Sequence, residues 1–289
     1  SPLFTFGVVA DVQYADRDDA RNFSGSRLRR YRRSRQLWEA AVEWFRDEKV
    51  SFIAQLGDFL DGSNRGVDGM SLAALKALLS PLQGGPPTLH LLGNHELYNF
   101  HREDLERGIS VPGLREIFTI SAPSSLNAAL PKANSAYYSF SPHEGWRVCV
   151  LDPYEVSILT RGGGRPGVDQ GVELDAEAVA LCQANNPNDV TKEDFARGIP
   201  AGAARRWVPL NGALGQRQLA WLQETLDAAS ASGEHCILLS HVVLRPDATP
   251  GGSGLTLLWN YEELQAVLAA SRAPVAVLCG HAHQQVHVR

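Results

Sequence analysis

Several things are scarce in this 289-residue sequence. Four cysteines (Cys149, Cys182, Cys236, Cys279) are too few and too dispersed for a disulfide framework, so a reducing, cytoplasmic setting is expected. No apolar run approaches the roughly 20 residues that span a bilayer, and no membrane role is expected. The opening Ser1-Pro2-Leu3-Phe4 lacks the basic-then-apolar pattern of a secretory signal. There is no excess of basic charge: 27 Lys and Arg against 32 Asp and Glu leave −5, which argues against a nucleic-acid binder. Neither an internal repeat nor a dividing linker is visible, so residues 1–289 read as one domain. At 44% hydrophobic and 20% charged, the chain has the means to bury a sizeable core, which excludes wholesale disorder.

What is present alternates between strand and helix. Apolar runs at 3–10, 51–56 and 88–92 read as strands, and helical spacing covers 34–48, with Ser34 as N-cap, and 71–79. This rhythm implies βαβ units and a largely parallel, buried sheet. Strands are expected at 136–140 and 146–151, then a long irregular stretch over about 152–211, rich in Gly and Pro, with a helix only near 172–184. Such a stretch reads as a cap or surface loop. A helix at 216–229, a strand at 236–239, a helix at 261–271 and a strand at 274–279 complete the pattern.

Five of the apolar runs end in a metal-ligating side chain: Asp11 with Gln13, Asp58, Asn94 with His95, His241, and His281 with His283. In open α/β folds the carboxyl ends of strands are where side chains from separate strands converge. Each residue alone has an ordinary explanation in turn chemistry, but their common position gives a coherent mixed O/N donor set. That set suits Mn²⁺, Fe or Zn²⁺ better than an all-thiolate or all-oxygen site would, with Mg²⁺ open at higher concentration. So many ligands exceed one tetrahedral ion and match two ions that share a carboxylate. Such a pair, about 3.5–4 Å apart, activates a water and clamps a phosphoryl group.

In this order, Asp11-Val12-Gln13, Gly57-Asp58, Gly93-Asn94-His95-Glu96, Ser240-His241 and Gly280-His281-Ala282-His283 resemble the five motif blocks of the calcineurin-like metallophosphoesterases. Gln13 stands where most of that superfamily has His. Together with the stretches 7–16, 55–58 and 93–100, and with Asn211-Gly212 and Trp259-Asn260-Tyr261, it narrows the resemblance to the manganese-dependent ADP-ribose/CDP-alcohol diphosphatases. Gln284-Gln285-Val286 departs from the Asp-Gly-Gly that commonly follows the last His in that family.

The resemblance implies an α/β fold of the metallophosphoesterase type, a β-sandwich of two mixed sheets flanked by helices in four αββα layers. It implies that Asp11, Gln13 and His283 hold one ion, that Asn94, His241 and His281 hold a second, and that Asp58 bridges. His95 follows a ligand without being one; placed toward the leaving oxygen it would act as general acid or stabilise charge in the transition state, and the alternative is a residue that only orients the site. Asp61 and Glu96 read as supporting or surface groups.

Substrate contacts are expected from Phe23, Tyr98, Asn211 and Trp259. Aromatic stacking on a base is worth about 1–3 kcal/mol, although aromatics near motifs are as often core. Six arginines between Arg27 and Arg35 read mainly as a solvated helix face, with one or two near the phosphates.

The activity implied is hydrolysis of the phosphoanhydride in nucleoside diphosphate conjugates such as ADP-ribose and CDP-choline, by a monomeric enzyme. A phosphomonoesterase or cyclic-nucleotide phosphodiesterase on the same site is the alternative. A metal-free binding scaffold would predict eroded ligand positions, and none is eroded.

Overall fold

A computed structural model describes residues 2–288 except 23–24, 67–68, 108–110, 112–113, 115–117, 121, 130–134 and 170. Three parallel strands form the first sheet in the order β1 (Gly7–Val9), β4 (Ile53–Gln55), β5 (Thr88–His90). Between β1 and β4 lie a short antiparallel hairpin, β2 (Ala20–Arg21) with β3 (Leu28–Arg29), and helix α1 (Tyr31–Asp47). Helix α2 (Met70–Leu79) precedes β5.

The second sheet has four strands: β6 (Tyr138–Phe140), β7 (Trp146–Val150), β8 (His235–Ser240) and β9 (Val275–Cys279). Its first pair is antiparallel and the other two pairs are parallel. The single parallel sheet expected from the alternation is thus two sheets, as the family resemblance implies, and only the second is mixed among the described strands.

Strand alternation explains why the two sheets stack. In β4 and its flanks, Phe52, Ala54 and Leu56 face one way, and in β8 Ile237 and Leu239 do so; with Tyr138, Phe140, Val148 and Val150 they form one buried cluster between the sheets. The opposite faces, carrying Ile53, Cys236 and Leu238, meet the helices. Helix α1 buries Tyr31, Trp38, Val42 and Phe45, at the spacing that keeps one stripe inward, and leaves Leu37 and Trp44 exposed. On the other side α6 (Gln216–Ala231) buries Leu219, Leu222 and Leu226, and α7 (Tyr261–Ala270) buries Leu264. Four layers result.

Helix α1 begins three residues before the expected cap: Ser34 lies within it and donates its hydroxyl to Tyr31 O at 2.7 Å. The stretch 152–211 contains α5 (Ala176–Asn185) and packs its own small core around Ile158, Ala178, Cys182 and Val190. The four cysteines are free thiols. Among the described residues no helix is long and apolar enough to cross a membrane.

Candidate metal centre

Asp11 follows β1, Asp58 follows β4, Asn94 opens α3 (Asn94–Asn99) just after β5, His241 follows β8, and His281 and His283 follow β9. The parallel strands point their carboxyl ends the same way, so these loops meet at one rim. The turns there are tight. Among the described residues six non-glycine positions have positive φ, and five of them are Asp11, Gln13, Asp58, His281 and His283. Side chains with a Cβ avoid this region, and where they occupy it the cost is held by surrounding structure, most often at sites of function.

Glycine makes the close approach feasible at two places. A Cβ on Gly57, where φ is 95°, would lie 2.6 Å from His241 Nδ1. One on Gly93 would collide with the Asp58 carboxylate and backbone nitrogen.

Glu96 stitches the two central loops together. Its carboxylate accepts from the backbone nitrogens of Asp58 and Gly93, each at 2.8 Å, and of Phe59 at 2.7 Å. Burial, followed by the neighbouring Asp58 charge, pushes its carboxyl up to about 7. Sequence reasoning set Glu96 aside as a supporting or surface group; its four-residue motif was the available signal, and it is buried at the centre of the site.

Seven side chains thus gather. Ligand atoms of Asp58, His241 and His281 all lie within 4.8 Å of one another, and so do those of Asp11, Asp58 and His283, so that Asp58 belongs to both sets. His283 Nε2 is 3.1 Å from Asp11 Oδ1 and 3.1 Å from Gln13 Nε2. The Gln13 amide nitrogen donates to Asp58 Oδ2 at 3.0 Å, and a half-turn of that amide puts its oxygen in the same place. Asn94 Oδ1 receives the Tyr154 hydroxyl at 3.4 Å.

The donor set fits a cation pair on two observations. Among the described residues His241 Nε2 is buried with no hydrogen-bond partner, 3.4 Å from Asp58 Oδ1, and an orphaned buried nitrogen is costly unless something fills the gap. The field has the matching sign. Burial alone would lower the His241 pKa, yet Asp58, with Asp11 beyond it, outweighs burial and lifts it to about 9. Burial likewise opposes charge on Asp58, and the imidazoles of His95 and His241 overcome it and hold the carboxyl well below its usual range.

Sequence comparison agrees with this geometry. The calcineurin-like phosphoesterase family matches residues 4–285. The chain belongs to that family. It is 35% identical to a manganese-dependent ADP-ribose/CDP-alcohol diphosphatase of Arabidopsis thaliana, over 98% of this chain and 81% of that protein. The Homo sapiens protein of the same description is 32% identical, over 97% of this chain and 77% of its own length. A crystal structure of a dimetal phosphatase from Danio rerio superposes with a TM-score of 0.77 at 31% identity, covering 98% of this chain and 82% of that one.

The loops that carry the motifs open on a cleft of about 720 Å³. His95 lines it beside Gln13, Asp58 and Tyr98. The His95 Nδ1 accepts from the Gly62 backbone nitrogen at 2.8 Å. Tyr98, expected at the substrate, does line the cleft, with its ring 5.1 Å from His95. Phe23 lies outside the described residues.

Two other expected substrate contacts are corrected by the structure. Trp259 is fully buried, packed on Trp207 and donating to Val208 O, because the chain before α7 turns inward. Asn211 is also fully buried, with its amide bonded to Arg206 O, Leu255 O and His281. Neither lines the cleft.

Sequence reasoning expected one or two arginines of 27–35 near the phosphates and a cap over 152–211, but named none of the residues that line the cleft from them. Arg165, Phe195 and Leu210 come from the 152–211 stretch, and Arg21, Arg27 and Arg29 come from the β2–β3 hairpin. Arg29 pairs with the buried Asp61 at 2.5 Å, and Arg27 donates to His283 O at 2.9 Å. Arg32 and Arg35 instead pair with Asp16, Asp18 and Glu39 on the surface, the solvated face that was expected.

Proposed function

We propose that this chain hydrolyses the phosphoanhydride of nucleoside diphosphate conjugates, ADP-ribose and CDP-alcohols such as CDP-choline. The products are a nucleoside monophosphate and a phosphorylated sugar or alcohol. The observation that carries this reading is Asp58, which belongs to two overlapping sets of ligand atoms and lines a nucleotide-sized cleft.

Asp11, Gln13 and His283 would hold one divalent ion, Asn94, His241 and His281 the other, with Asp58 shared; manganese is the ion that the relatives' names support. When bound, such a pair supplies the positive charge that acidifies a water and neutralises phosphoryl oxygens.

The protein's own groups do the rest. Because His95 Nδ1 accepts a backbone N–H, the ring proton of its neutral form sits on Nε2. Burial holds that imidazole below its usual pKa, against the pull of Asp58, which favours the neutral ring, and its Nε2–H is then a hydrogen-bond donor to the charge that develops on the leaving oxygen. Arg27 and Arg165, which both line the cleft, supply positive charge for the diphosphate. The 152–211 stretch acts as a cap, Tyr98 and Leu210 contacting the nucleoside. Four unpaired thiols support a reducing, cytoplasmic setting.

The test is a substrate panel with Mn²⁺: ADP-ribose, CDP-choline, a cyclic nucleotide and a phosphomonoester. Turnover of either of the first two, abolished by chelation, is the expected result. Metal-loaded protein that leaves both intact and cleaves only the phosphomonoester would overturn it.

A further inference from the structure

Asn211 sits away from the cleft, yet its bonding decides which atom of His281 faces the metal centre. Its Nδ2 donates to Arg206 O and to Leu255 O, each at 2.9 Å. Carbonyl oxygens only accept, so these two bonds identify the nitrogen end of the amide without ambiguity. The remaining atom, Oδ1, lies 3.0 Å from His281 Nε2 and must itself accept. His281 Nε2 therefore carries the hydrogen, and in a neutral ring the free lone pair is on Nδ1.

The neighbouring histidine is set the other way round. His241 Nδ1 donates to Leu56 O at 2.8 Å, which leaves Nε2 as its free atom. The two rings are 4.8 Å apart and offer opposite nitrogens.

We propose that Asn211 is a positioning residue for the metal centre, fixing the tautomer and orientation of His281 so that Nδ1 is presented as the ligand. The role rests on the dimetal reading above. It also gives the 152–211 stretch a hold on the centre. Asn211 closes that stretch, and its amide nitrogen is held by a carbonyl from within it (Arg206) and one from the loop before α7 (Leu255). Partners that hold the far nitrogen of a metal-bound histidine typically set metal affinity within about 10–100-fold.

The experiment uses the full chain, metal-free, with ¹⁵N-labelled histidine. Long-range ¹H–¹⁵N spectra at neutral pH, with His281 assigned by its absence in His281→Gln, should report the Nε2–H tautomer. A His281 in the Nδ1–H form would overturn the proposal. In parallel, Mn²⁺ titration followed by electron paramagnetic resonance should show two ions on the wild type. Asn211→Ala should weaken one of them about 10–100-fold and leave the other near its wild-type affinity.

Asn211→Asp separates this role from a purely structural one. It keeps the acceptor for His281 and loses both donor bonds, so it should lower Tm yet hold Mn²⁺ affinity within a few-fold of wild type. If Asn211→Ala binds both ions as tightly as wild type, or if Asn211→Asp loses affinity as Ala does, Asn211 acts only through folding. A wild type that binds no Mn²⁺ refutes the dimetal reading itself, a result distinct from either of these. Should Asn211→Ala fail to fold, the wild-type spectrum and the Asp variant still decide.

Discussion

The two halves of the metal centre differ in burial. Asp58, His241 and His281 are 1%, 0% and 7% exposed, whereas the Asp11 and His283 side chains keep 13% and 35% of their surface. Topology gives part of the reason: Asp58 and His241 follow β4 and β8, which have a neighbour on both sides, while Asp11 and His283 follow β1 and β9, the outer strands of their sheets among the described residues. His281 also follows β9, and it is buried where its ring meets Asn211. The lesson is that one fold supplies a sealed position, where ligand geometry is fixed by packing, and an open one, where water can replace a lost ligand.

Three substitutions rank that difference. Asp58→Ala removes the carboxylate common to both halves, so Mn²⁺ stoichiometry should fall from two to none and kcat by about 10³-fold or more, with the circular dichroism spectrum unchanged. His241→Ala strips the sealed half of a ligand that solvent cannot replace; one ion should be lost and kcat should fall by about 10²–10³-fold. His283→Ala opens a position that water already reaches, and Mn²⁺ affinity should drop only about tenfold with kcat largely recovered at saturating metal. A larger loss for His283→Ala than for His241→Ala would reverse the ranking and break the comparison.

The smallest effect concerns a buried histidine whose pKa is moved by burial. His90 lies between Phe59 and Phe118, its Nδ1 unpartnered among the described residues, and burial lowers its pKa to about 3, whereas Asp58 lifts the buried His241 to about 9. The sign follows from linkage: below about pH 6.5 the unfolded chain takes up a proton at residue 90 that the folded chain refuses. Stability of the metal-free protein is therefore complete above that pH and is lost as pH falls toward 3, by about 1.4 kcal/mol per pH unit from this group. Urea unfolding of wild type and His90→Phe between pH 7 and about 5 should show a shallower decline in the variant. Parallel declines would remove His90 from the account.

The motif blocks were legible because each ligand ends an apolar run, and apolar runs in a parallel sheet deliver their last residues to one rim. What eluded the sequence had physical causes. The β2–β3 hairpin pairs only two residues on each strand, and α3 and α4 (Arg102–Arg107) span six each, all too short to display a period. Trp259 and Asn211 stand beside motif residues in the chain, but proximity in sequence does not say which side of the backbone meets the cleft. The positive φ angles at Asp11, Gln13, Asp58, His281 and His283 carry no compositional mark, because glycine, the usual occupant of such turns, has no side chain to serve as a ligand.

The central claim, that a single carboxylate joins a sealed and an open ion position, is tested most directly by anomalous diffraction from crystals grown with Mn²⁺. Two peaks about 3.5–4 Å apart are predicted, both in contact with Asp58, the sealed one against His241 and His281 and the open one against Asp11 and His283. A single peak, or two that do not share Asp58, would contradict it.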